Sequence, residues 1–240
     1  MSANVRIGTS GWHYEHWQGV FYPDGLPHAE WLAWYARHFD TVEINRSFYR
    51  LPSLKAVQAW HDATPQNFLF AVKGSRFITH MKKLKEPEAG IAVFLPVLEP
   101  LAAKRGPVLF QLPPRWKCNP ERLAGFLAAW PAAIPCAFEF RDPSWHCREI
   151  YALLESHNAA FCIFDIGGFC SPPQLTTDFS YIRLHGPDGP YAGCYSRAAL
   201  EGWAERIRSW RTLRQVYVYF DNDQAGYAVE NALALKDLLR

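Results

Sequence analysis

The chain has 240 residues, 49% of them hydrophobic and 20% charged, and its 25 Lys and Arg against 23 Asp and Glu leave a formal net charge of +2. That balance fits one globular domain over residues 1–240 with no low-complexity tract or obvious repeat, while the near-neutral total says little about partners. No apolar run approaches the roughly 20 residues of a membrane-spanning helix, and Met1 to Asn4 carry no secretory pattern, so the expected compartment is the cytoplasm.

Eight strand-length runs rich in Val, Ile, Phe or Tyr succeed one another. The first, Val5 to Gly8, opens into an aromatic loop holding Trp12, His13, Tyr14, His16 and Trp17. His13 and His16 are three residues apart, but their aromatic surroundings read as loop packing and not as a zinc pair. The second, Thr41 to Asn45, precedes a helix that Ser53 caps. The third, Phe68 to Lys73, is followed by the basic stretch KGSRFITHMKKLK, which gathers Arg76, His80, Lys82, Lys83 and Lys85. The fourth, Val108 to Leu112, leads to Asn119-Pro120-Glu121, the N-cap, first-position proline and first-turn acid of a helix.

The fifth and sixth runs are Cys136 to Arg141 and Ala160 to Asp165. From Ile166 to Asp178 the chain is rich in Gly, Ser, Pro and Thr without a helical stripe, which predicts an irregular connection. The seventh, Tyr181 to His185, runs into HGPDGPYAGCY, and the eighth, Val216 to Asp221, precedes a last helix from Ala225 to Leu239 with Asp223 as its cap. Strands alternating with helices imply parallel strands joined by right-handed crossovers, and eight such units are those of a (β/α)8 TIM-type barrel, here imperfect around the sixth βα unit. A doubly wound sheet is disfavoured because Gly8 to Gly11 lack the dinucleotide spacing. Six cysteines without a CxxC pair read as free thiols.

Alternation along a strand puts Glu43 and Asn45 on one face, as it does Glu139 with Arg141 and Arg183 with His185. Lys73, Gln111, Asp165 and either Asp221 or Asn222 stand near the ends of the other runs. An interior that needed only filling would use branched aliphatics, so these polar groups are expected to meet a ligand at the C-terminal rim. A self-neutralising ion-pair plug is the competing reading.

The segments GTSGWHYEHW with GVFYP, TVEINRSFYRLP, FAVKGSRFITH, VLFQLPPRW, AFEFRDPSW, YIRLHG and VYVYFDND, taken in order, resemble the motifs of the domain-of-unknown-function 72 family, also called YecE-like proteins. The resemblance covers the whole chain and implies a TIM-type barrel, but no established reaction. Its motif residues fall here on Trp12, Tyr14, Glu43, Asn45, Phe48, Tyr49, Lys73, Thr79, His80, Gln111, Pro113, Glu139, Arg141, Trp145, Arg183, His185, Gly186, Phe220 and Asn222. Asp221 departs from the pattern, which commonly has phenylalanine followed by two asparagines.

Glu43, Glu139 and His185 are therefore the expected catalytic groups. Arg141 holds Glu139 ionised, whereas Glu43, beside neutral Asn45, is the expected proton-transferring group. Lys73 and Arg183 are expected to hold an anionic part of the substrate, with Trp12, Tyr14, Asn45, Tyr49, His80, Gln111, Arg141, Trp145, Asp165 and Asn222 lining it. No cofactor is expected; a divalent ion among the rim carboxylates is the alternative, opposed by the nearby cations. The resulting expectation is an acid/base enzyme of hydrolase, lyase or isomerase type acting on a phosphorylated, nucleotide or sugar-like anion. The alternatives are a nucleic-acid-binding or nucleic-acid-processing protein and a noncatalytic ligand-binding or scaffold barrel.

Overall fold

β-Branched and aromatic side chains build eight parallel strands in a computed structural model that describes residues 3–240. They are β1 (Asn4–Thr9), β2 (Thr41–Ile44), β3 (Leu69–Lys73), β4 (Arg105–Leu112), β5 (Cys136–Phe140), β6 (Ala160–Ile166), β8 (Phe179–Leu184) and β9 (Gln215–Phe220). The two-residue β7 (Phe169–Cys170) pairs antiparallel with β6. The order β1-β9-β8-β6-β5-β4-β3-β2 makes a nearly closed α/β barrel with helices between the strands. All eight expected runs are strands, with ends displaced by at most three residues. The largest displacement is at β4, which starts at Arg105 and runs through Gly106 and Pro107. There the register against β3 slips between Phe70 and Val72, and the bulge takes up a proline that has no N–H to give the ladder.

The chain falls into two compact units: one runs up to Glu43 and adds Ile163–Ser171 and Asp178–Arg240, the other holds Ile44–Cys162 and Pro172–Thr177. In the first, β1 and β8 flank β9 in register, with Val5 opposite Val216 and Arg183 opposite Tyr219. Helices α1 (Trp31–His38), α7 (Arg197–Ser209) and α8 (Tyr227–Leu238) belong to it. Ser10 bridges to Glu43 where β1 meets β2. The chains approach closely at Gly8, where a Cβ would lie 2.2 Å from the Thr41 carbonyl oxygen. The Tyr35 hydroxyl from α1 fills this seam, accepting from Thr9 N at 2.9 Å and donating to the Thr41 carbonyl at 3.1 Å.

In the second unit, α2 (Arg46–Tyr49), α3 (Leu54–Asp62), α4 (Pro87–Phe94), α5 (Pro120–Ala129) and α6 (Arg148–Ser156) accompany β3, β4 and β5. The rings of Phe110, Phe126 and Phe138 pack edge to face and tilted in its core. Ser53 and Asn119 cap α3 and α5 as expected, accepting from Ala56 N at 3.2 Å and Arg122 N at 2.9 Å. After β6 no helix forms, in agreement with the expected irregular connection. Hydroxyls stand in for a ladder there: Ser171 accepts from Phe164 N within the first unit, and Thr176 accepts from Phe161 N within the second. The expected cap of the last helix is corrected: Gly226, at φ 81°, precedes α8, and the Asp223 side chain makes no cap bond. Its carboxylate is engaged elsewhere.

Candidate active site

The polar residues named from sequence alternation do stand at the C-terminal ends of the strands. In the first unit they form one buried network around Arg183 of β8. Its guanidinium grips Glu43 in a fork, with Nη2 donating to Oε1 at 2.7 Å and Nε to Oε2 at 3.0 Å. Tyr181 donates to Glu43 Oε2 at 2.6 Å and Ser10 to Oε1 at 2.5 Å. Arg183 Nη2 also donates to Asp221 Oδ2 at 2.9 Å. Its Nη1 lies 3.2 Å from His185 Nε2, and since a guanidinium only donates, that nitrogen accepts. His185 Nδ1 lies 3.0 Å from Asp221 Oδ2. Glu43, Arg183 and His185 are completely buried.

Glu43 was expected to transfer a proton and Arg183 to hold an anionic part of the substrate; in the folded chain the two are hydrogen-bonded to each other. Arg183 is engaged by two carboxylates, and the oxygens of Glu43 are already filled by three donor residues. Two carboxylates against one guanidinium leave a negative surplus, and the groups around it respond. Burial, then the charges of Asp221, Asp223 and Glu43, raise the Tyr14 phenol well above its ordinary value. Its hydroxyl donates to the Ser10 carbonyl at 2.5 Å.

Asp223, just past β9, responds most usefully. Trp17 Nε1 donates to its Oδ1 at 2.6 Å, and His16 Nε2 lies 3.1 Å from its Oδ2. Burial, reinforced by the charge of Asp221 and opposed by the Trp17 hydrogen bond and His16, pushes its pKa up to about 6. This half-buried carboxyl group titrates within reach of neutrality.

The second unit holds a different set. Gln111 of β4 lies beside Glu139 of β5 in register, and Glu139, fully buried, is ion-paired with Arg141. Cys162 Sγ approaches the other Glu139 oxygen at 4.0 Å. Lys73 closes β3 with its ammonium 4.7 Å from the centre of the Phe48 ring, and His80 meets the same ring edge-on at 5.0 Å. Burial, then the positive charges of Lys73 and Arg76, push the His80 pKa down to about 4. Among the described residues, the buried Asn45 Oδ1 and Gln111 Oε1 accept no hydrogen bond.

The family described as "Protein of unknown function DUF72" matches residues 6–240. The chain belongs to the DUF72 family. It is 28% identical over 274 residues to the UPF0759 protein YunF of Bacillus subtilis (strain 168), covering 98% of this chain and 94% of that one. The UPF0759 protein YecE of Escherichia coli (strain K12) is 31% identical over 147 residues, or 60% of this chain and 51% of its own. A DUF72 crystal structure from Thermotoga maritima matches with a TM-score of 0.90 at 31% identity, over 98% of this chain and 99% of that one. A DUF72 structure from Enterococcus faecalis, at 22% identity and a TM-score of 0.84 over 98% and 95%, supports the fold alone.

Several DUF72 motif residues serve the scaffold in this chain. Trp145 is fully buried, stacks on Phe140 at 5.0 Å and donates its indole N–H to the Trp116 carbonyl, so it packs a loop and offers no face for stacking. Asn222 donates to the Gly193 carbonyl at 2.9 Å and to Asn231 at 2.8 Å, pinning the loop after β8. Asp165 accepts from Tyr195 at 2.7 Å, and burial raises its pKa. The Trp12 carbonyl accepts from the Tyr22 hydroxyl. Tyr49 is 73% exposed, and its ring meets that of Phe48 edge-on at 5.0 Å. Of the basic run after β3, Lys82 is held by Glu86 at 2.7 Å.

Sequence reasoning missed Ser10, Tyr181, His16 and the true engagement of Asp223. Tyr181 was legible in principle, two residues before Arg183 on the same strand face. Asp223 was not, because it lies beyond the strand, where periodicity carries no information.

Proposed function

We propose that this DUF72 protein is an enzyme performing acid/base chemistry on an anionic small molecule that is phosphorylated, nucleotide or sugar-like. The observation that carries the reading is Asp223, a half-buried carboxyl group whose pKa of about 6 lets it both hold and release a proton near neutral pH. His16 beside it is the second proton-carrying group, and Glu43 with Arg183 is the fixed electrostatic frame that keeps Asp221 in place. Within the second unit, taken by itself, Lys73 and Arg76 make the surroundings of His80 positive, which suits an anion. The unfilled acceptors of Asn45 and Gln111 suit the hydroxyl or amine donors of a sugar or base. The reaction class that fits is hydrolysis, elimination or isomerisation, since each turns on proton transfer.

The test is a melting-temperature screen of untagged protein against sugar phosphates, nucleotides and their unphosphorylated counterparts, followed by product detection for each stabilising compound. Stabilisation by phosphorylated members, lost in Lys73→Ala, is expected, with turnover whose limb near pH 6 disappears in Asp223→Asn. Stabilisation by none of the panel, or turnover with an unchanged limb in Asp223→Asn, would overturn the proposal.

A further inference from the structure

The loop after β1 and the segment before α1 bring together three side chains that the site described above does not use. His13, Glu15 and His28 each offer one ligand atom, all within 4.8 Å of one another, and His28 Nε2 is 3.2 Å from Glu15 Oε2. From the sequence, His13 and His16 read as loop packing and not as a metal pair. In the folded chain His16 turns to Asp223, and His13 meets His28, fifteen residues on, with ring centres 5.4 Å apart.

Both imidazoles rest on one rigid support. The Trp31 ring is fully buried, 4.2 Å from the His28 ring and 4.8 Å from that of His13. Its indole N–H donates to the Leu26 carbonyl at 3.0 Å, fixing the backbone two residues before His28. Tyr22 stacks on Trp31 at 4.7 Å and gives its hydroxyl to the carbonyl of Trp12, fixing the backbone next to His13. The two histidines thus rest against Trp31, and they and Glu15 are exposed.

We propose that His13, Glu15 and His28 form a binding site for one borderline divalent transition-metal ion, of which Zn2+ is the probe. Two imidazoles and a carboxylate are the donor set such ions prefer, and bonds of about 2.1 Å need donors roughly 3.4 Å apart in a tetrahedron. One pair already meets that spacing, and exposed side chains reach it for the third by small rotations. Three protein ligands leave a position for water. The ion would also clamp Tyr14, which lies between two of the ligands and donates to the Ser10 carbonyl.

The experiment is titration of metal-free, untagged full-length protein with Zn2+ by calorimetry, repeated with His13→Ala, His28→Ala and His16→Ala, each checked for an unchanged far-ultraviolet spectrum. A companion Co2+ titration reads the donor type from its absorption spectrum. Loss of an outer-shell partner alone weakens a metal site by about tenfold or more. One equivalent bound, weakened at least that far in the first two variants and unchanged in His16→Ala, with a nitrogen and oxygen Co2+ spectrum, is the expected result. No binding by the wild-type chain, affinity unchanged in His13→Ala and His28→Ala, or a thiolate charge-transfer band would each overturn the proposal. Should a histidine variant misfold, Glu15→Gln, at an exposed position, replaces it with the same expected loss.

Discussion

Replacing Asp223 by Asn gives a quantitative test of how this carboxyl group is held. Its pKa rises from 3.8 in the unfolded chain to about 6 in the folded one. Between those values the folded state binds the proton more tightly, so this group makes stability fall as pH rises and restores it as pH drops. Each pKa unit corresponds to about 1.4 kcal/mol, so the full penalty on the ionised form is about 3 kcal/mol. Over the accessible window from about pH 4.5 to 7.5, the linkage relation leaves about 2 kcal/mol of it.

The assay is urea unfolding of wild type and Asp223→Asn at both pH values. Other titrating groups cancel in the difference, except where they couple to Asp223 itself, as Asp221 does. The variant is expected to gain about 2 kcal/mol on the wild type in going from the lower to the higher pH. A difference that does not change with pH, or one that favours the wild type at high pH, would show that neither burial nor Asp221 raises this group. The reasoning behind the proton-transfer role would fail with it.

Glu43→Gln tests the neighbouring network: breaking a buried, forked pair with Arg183 is expected to cost about 3–5 kcal/mol, read as a fall in melting temperature of roughly 2–4 °C per kcal/mol. A melting temperature equal to or above that of the wild type would mean that the carboxylate is held under strain for chemistry and is not part of the frame. Gly8→Ala introduces a Cβ that would lie 2.2 Å from the Thr41 carbonyl oxygen and 2.9 Å from the Tyr35 hydroxyl. Overpacking of that kind is expected to destabilise the fold by about 3 kcal/mol or more; a neutral result by thermal denaturation would show that the seam between β1 and β2 yields freely.

How far the sequence could be read differs between backbone and side chains, and particular residues show why. Strands announce themselves locally: the Val, Ile, Phe and Tyr runs mark all eight within three residues, and Asn119 and Ser53 cap their helices because a cap is settled within three positions of chain. The alternation that placed Glu43, Glu139 and Arg183 on inner faces is equally local. What alternation could not supply is which of those charges meet. Arg183 and Glu43 are 140 positions apart, and only the pairing of β1, β9 and β8 and the bridge of Ser10 to Glu43 bring them within hydrogen-bond distance. Asp223 looked like a helix cap until Trp17 and His16, about 207 positions away, were seen to hold its carboxylate. Trp145 looked like a stacking residue until its ring proved to be buried against Phe140.

By itself, then, the order of residues determined the strands, the capped helices and the set of polar groups at the strand ends, because each follows from contacts within a few positions. Partnership, burial and proton affinity came only with the tertiary structure, since they depend on distances between residues that are remote along the chain, and on the solvent excluded once those residues meet.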